Sequence, residues 1–172
     1  MTSDLAQTAY DKLEIKELIT RYAFTYDAGH LDEWASLFTD DVVWELRVPI
    51  RDEPLLAVTG KKDFVERFSQ SHGELMEDLK DLAGLGAFHL MCGTVFDELT
   101  ETTARARTMV APLMQNFNDD GSVLDEKNWH EIMDVNVLFG GIYHGWYRKV
   151  DGEWKIAKKI FFASPKELDL SS

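Results

Sequence analysis

Apolar residues change their spacing near residue 40, and that change restricts the chain to folds in which helices and a sheet share one core. Ile15, Leu18, Ile19, Tyr22 and Tyr26 recur at the interval of one face of an amphipathic helix, which should stop where Gly29 can take the left-handed conformation. A shorter helix over Leu31, Trp34, Leu37 and Phe38 ends at the turn-forming run Thr39-Asp40-Asp41. From Val42 to Val48 apolar and polar residues alternate, which is the period of a half-buried strand. Leu55 to Val58 predicts a short strand before Gly60, and Phe64, Val65, Phe68 and Leu75 predict a third helix. Gly84 to Gly86 reads as a loop.

The remainder is strand-like. Ala87 to Leu99 and Thr102 to Met114 form two long extended runs joined at Thr100-Glu101, and Asn116 to Asn128 is a polar loop. Ile132 to Val150 and Glu153 to Ala163 form a second hairpin closed by Asp151-Gly152, a dipeptide suited to tight strand connections. Helices first and long strands afterwards predict an α+β fold, with N-terminal helices packed on a curved, mainly antiparallel sheet in a single domain over residues 1–172.

Charge and motif content remove several function classes. The chain has 18 basic and 31 acidic residues, a net charge of −13, which repels phosphate backbones and anionic lipid. Its basic residues cluster only in pairs such as Lys61-Lys62 and Lys158-Lys159, so neither nucleic acid nor membrane is an expected partner. No apolar run approaches the roughly 20 residues of a membrane helix, and a cytoplasmic location is expected. Cys92 is the single cysteine, which excludes an intrachain disulfide and any zinc site built on several thiolates. G-x-S-x-G, G-x-G-x-x-G, P-loop and H-E-x-x-H patterns are all absent, and neither a metal nor a cofactor is expected.

Two residues break local rules. His89 lies in the apolar strand Ala87-Phe88-His89-Leu90-Met91-Cys92, where an imidazole left without a partner costs about 1–3 kcal/mol. It either bonds a backbone carbonyl as a core histidine or serves as a base. Asp27 ends a helix, where the macrodipole disfavours a carboxylate. It either faces water beside Gly29 or orients an imidazole such as His89. Tyr22 and Tyr26 share a helix face and serve as core packing or as phenols that polarise a carbonyl. Tyr143, in Gly140-Gly141-Ile142-Tyr143-His144-Gly145, lies where glycines mark a bulge or make room for a ligand. His30, His72 and His130 are expected to be solvated, as are Glu45, Arg47 and Glu131.

The ordered set Arg21 to Asp27, Trp34 to Asp41, Phe88-His89 leading to Gly93-Thr94, and Trp146 to Lys155 resembles the SnoaL-like branch of the nuclear transport factor two-like superfamily, and most closely scytalone dehydratases. That resemblance implies a cone-like α+β barrel, with Asp27 and His89 as a catalytic dyad and Tyr26 and Tyr22 as candidate phenols. Tyr143, Met114, Trp44 and Phe162 would contact the substrate. Met114, beside Leu113, falls where scytalone dehydratase carries a second histidine, which makes the site more apolar. The implied activity is that of a cofactor-free lyase or isomerase (dehydratase, isomerase or cyclase) on a small cyclic carbonyl compound such as a polyketide or terpenoid intermediate. The alternative is a domain of the same fold that only binds a small molecule or a partner protein. A homo-oligomer, trimer or dimer, is also implied, with Trp146, Trp154, Ile156 and Ile160 as its surface.

Overall fold

A computed structural model of the chain describes residues 2–79, 86–117, 133–137 and 140–164. Helices α1 (Thr2–Asp27) and α2 (Leu31–Ser36) precede strands β1 (Phe38–Arg47) and β2 (Leu56–Thr59), and helix α3 (Lys61–Leu79) follows. Strands β3 (Gly86–Leu99), β4 (Thr103–Phe117), β5 (Met133–Val137), β6 (Gly141–Val150) and β7 (Glu153–Phe162) complete the fold. One mixed sheet holds them in the order β2-β1-β7-β6-β4-β3, with β5 also on β4. All pairings are antiparallel except β1 with β7. Helices packed on this sheet give the α+β cone.

Helix α1 begins well before the apolar face that predicts it, because residues 5–13 contain neither Gly nor Pro to interrupt it. That first stretch presents Leu5, Tyr10 and Leu13 to solvent, whereas Ile15, Leu18, Ile19 and Tyr22 are buried. Gly29, at φ 73°, then turns the chain out of the helix. Trp34, wholly buried, lies between α1, α3 and β1. Its ring centroid is 4.9 Å from Phe64 and from Phe38, and 5.0 Å from Tyr26. Aromatic pairs at such separations add roughly 0.5–1.5 kcal/mol each beyond the area they bury.

Three expectations about the strands need correction. Phe38 and the run Thr39-Asp40-Asp41, expected to end a helix in a turn, begin β1 instead. The run from Ile132 to Val150 is not one strand: β5 pairs with β4 over Leu113–Phe117 and β6 pairs with β4 over Thr103–Val110. Pro112 falls at the junction, where the lack of an N–H disturbs the ladder least. Strand β4 also runs on to Phe117, past the expected start of the polar loop at Asn116. The loops expected at Gly84-Leu85 and from Asn118 to Asn128 lie outside the described residues, while Gly86 begins β3. The Asp151-Gly152 turn has φ of 51° and 86°, the two positive values of a tight hairpin turn.

A buried polar anchor ties α1 to this hairpin. Asp11 is 3% exposed, and its Oδ1 accepts hydrogen bonds from Lys149 Nζ at 2.6 Å, Trp154 Nε1 at 3.0 Å and Gln7 Nε2 at 3.3 Å. Burial alone would raise the carboxyl pKa, but these donors, Lys149 foremost, outweigh it and hold the pKa below its ordinary value. Asp11→Ala leaves an ammonium and an indole N–H without their acceptor and should cost about 2–3 kcal/mol in urea unfolding. Because the folded pKa is depressed, this stabilisation is complete above the ordinary carboxylate range and is lost as pH falls through the lowered value. The wild-type advantage over the variant should therefore shrink on acidification.

Candidate active site

Asp27, the last residue of α1, reaches β3 at the edge of the sheet. Its Oδ2 accepts the backbone N–H of His89 at 2.7 Å, and its Oδ1 lies 2.6 Å from His89 Nδ1. One carboxylate thus satisfies both a strand-edge N–H and the imidazole, and two short charge-assisted bonds offset the unfavourable macrodipole. An ionised carboxylate can only accept, and against one the Nδ1 contact requires the ring proton on Nδ1, with Nε2 left as the acceptor nitrogen. Both side chains are largely buried, 18% exposed for His89 and 16% for Asp27.

His89 lines a hollow of about 330 Å³ together with Tyr22, Tyr26, Trp44, Phe68, Tyr143 and Phe161. That lies within the range of small-molecule sites, about 300–1,000 Å³. Leu46, Val48, Pro112 and Ala163 complete its walls, so aromatic and aliphatic groups surround one imidazole and three phenols. Two larger grooves, about 640 and 600 Å³, run beside α1 but are lined mostly by charged and polar surface chains such as Glu14, Arg21 and Glu153 or Gln7, Glu101 and Lys149. The smaller hollow holds the convergent chemistry.

The phenols are held as donors. Burial, reinforced by the Asp27 carboxylate, pushes the Tyr26 hydroxyl up to about 12, and its O–H donates to the Phe68 carbonyl at 3.3 Å. Burial also raises Tyr22 and Tyr143 well above the ordinary phenol value, with the Tyr143 neighbour adding to the rise at Tyr22. The Tyr22 and Tyr143 rings meet edge-on with centroids 5.9 Å apart, and Tyr22 lies 6.4 Å from His89.

Of the residues expected to contact substrate, Trp44 and Tyr143 line the hollow and Phe162 does not. Phe162 packs edge-on against His144 at 4.8 Å, on the other face of β7, and Phe161 takes the inward place. A bulge causes the exchange: Trp146 pairs with Lys158 and Tyr147 with Ile156, so Ala157 is an extra residue that reverses the alternation beyond it. The backbone of Met114 pairs with Ala87 and Asn136, and its side chain lies outside the described residues.

Other expectations also change. His72 is buried rather than solvated, with its ring 5.2 Å from Tyr26, and His144 is buried as well; His130 and Glu131 lie outside the described residues. Glu45 is buried and ion-paired with Arg47 at 2.7 Å and Lys158 at 3.3 Å. Trp154, Ile156 and Ile160 are buried within the chain, so they offer no surface to a partner. The residue that sequence reasoning missed is Lys159. It is 1% exposed, with Nζ 3.3 Å from the Tyr22 ring centre and 4.0 Å from that of Tyr143.

The family model for the SnoaL-like domain matches residues 7–159. The chain belongs to this family. A search of curated proteins finds no match. Among solved structures, this SnoaL-like chain is similar to an NTF2-like protein with a cystatin-like fold from Novosphingobium aromaticivorans, with 16% identity, a TM-score of 0.68, and coverage of 96% of this chain and 90% of that one. A proposed scytalone dehydratase from the same organism matches at 19% identity and TM-score 0.64, covering 95% and 89%. The β subunit of the benzoate 1,2-dioxygenase from Burkholderia mallei matches at 12% identity and TM-score 0.61, covering 87% and 88%. These likenesses establish the fold, which serves proteins of different function. Among the described residues no helix is long and apolar enough to cross a membrane, and no group of three His, Cys, Asp or Glu is gathered as a metal ion would require.

The Asp27 contact carries a spectroscopic signature. Nitrogen NMR of the neutral His89 ring should show the proton on Nδ1. Asp27→Ala should return the ring toward the Nε2–H form, and an unchanged tautomer would mean that the contact does not orient the imidazole.

Proposed function

We propose that this SnoaL-like protein is a cofactor-free lyase or isomerase that removes a proton α to the carbonyl of a small cyclic, largely apolar compound, such as a polyketide or terpenoid intermediate. The observation that carries this reading is the pair of hydrogen bonds that Asp27 accepts from His89 at the wall of an apolar hollow. His89 Nε2 is the general base. Asp27 fixes the tautomer and stabilises the imidazolium formed when the proton arrives. Tyr26, Tyr22 and Tyr143 are the candidate donors to the enolate oxygen, in a site where exclusion of water strengthens each hydrogen bond. Loss of a β-hydroxide from the enolate completes a dehydration, return of the proton at another carbon an isomerisation, and attack by the carbanion a cyclisation. Trp44, Phe68 and Phe161 supply the apolar walls that select a ring.

Exchange of α-hydrogens for deuterium, followed by proton NMR over a panel of cyclic ketones and enones, measures the first step without knowledge of the product. His89→Ala and Asp27→Asn should each lower the exchange rate about 10²–10⁴-fold while the fold survives. Near-wild-type exchange in both folded variants would refute the mechanism. Thermal stabilisation of the wild type by an enone, with no exchange and no spectral change, would favour a domain that binds without catalysis.

A further inference from the structure

A lysine that meets no carboxylate among the described residues, inside an aromatic core, requires an explanation. Lys159 lies on β7, opposite Trp44 of β1 and Gly145 of β6, and its side chain shares the inward face with Phe161 and Ala163. Among the described residues no ion pair involves it, although the preceding residue, Lys158, pairs with Glu45. Its Nζ lies instead against the faces of the two phenol rings that form one end of the hollow, 3.3 Å from the centre of Tyr22 and 4.0 Å from that of Tyr143. A methionine or leucine would fill the same space without the desolvation penalty, so the amine serves something other than packing.

The charges around the hollow indicate what that is. Asp27 is negative and lies on the His89 side, where it opposes any negative charge that develops on a ligand. A cation against the face of a phenol ring is attracted to its π electrons and draws density from its oxygen, which makes the O–H a stronger donor. We propose that Lys159 is a positioning residue that makes the Tyr22–Tyr143 end of the hollow a receptor for an oxyanion, so that the ligands held best are compact ring compounds carrying an acidic enol or phenol oxygen. This deepens the proton-abstraction reading, because an enolate is such an anion, and it rests on that reading for its role in turnover. Burial depresses the lysine pKa, so arrival of the anion favours the protonated amine.

The test uses p-nitrophenol, whose phenolate is coloured, and 4-nitroanisole, its uncharged analogue. At a pH where free p-nitrophenol is protonated, the wild type should bind it as the phenolate and shift its absorbance, and should bind 4-nitroanisole more weakly. Lys159→Met should weaken phenolate binding about tenfold or more and leave 4-nitroanisole within about twofold, while Lys159→Arg restores the anion. Lys159→Met should also be at least as stable as the wild type, which a purely structural lysine would not allow. A folded Lys159→Met with unchanged phenolate binding overturns the proposal, as does a wild type that prefers 4-nitroanisole. Should that variant fail to fold, carbon NMR of the wild type decides: the Lys159 Cε resonance must stand at the ammonium position in the saturated phenolate complex, and a neutral-amine position overturns the proposal. No turnover is involved, so failure of the base, read from α-hydrogen exchange, and failure of the anion receptor, read from phenolate binding, are separate results.

Discussion

The fold and the site meet at one carboxylate. Asp27 closes α1 in the place where a helix least favours negative charge, and it is kept there by two donors from a single residue of the edge strand β3. The bond to the backbone N–H fixes the helix end relative to the strand, and the bond to the ring fixes the imidazole relative to the hollow. Position and chemistry are therefore set together. Tyr26, the residue just before it, and Tyr22, one turn further back in the same helix, inherit their places against α3 and β6 from this docking.

Much of the architecture was legible because periodicity reports burial directly. The helix over Ile15 to Asp27, the alternation from Val42, the Asp151-Gly152 turn and the long β3–β4 hairpin all follow from local pattern. Asp27 was also conspicuous locally, as an acid at a helix C-terminus. Its partner was not, since 62 residues separate it from His89 and no spacing rule spans such a gap; only the family resemblance linked them.

What remained hidden traces largely to a single inserted residue. Ala157 reverses the strand alternation, so the parity of Trp154 and Ile156 does not carry through β7: Lys159 turns to Tyr22 and Tyr143 and Phe161 to the hollow, while Phe162, placed there by the resemblance, faces away. The same reversal makes Ile160 and Phe162 companions of His144 on the far face. His72 was misread for a related reason: a histidine next to glycine looks exposed in one dimension, yet the third helix lays it against Tyr26. Bulges and helix docking are tertiary facts that leave little trace in local composition.

The sheet order also bears on how the molecule is made. β7, last in sequence among the described strands, lies between β1 and β6, so the segment that carries β1 and β2 has no sheet to join until the final hairpin leaves the ribosome. Assembly of this domain is thus dominated in its decisive step by contacts between segments far apart in sequence, and is slow relative to helical domains of the same size.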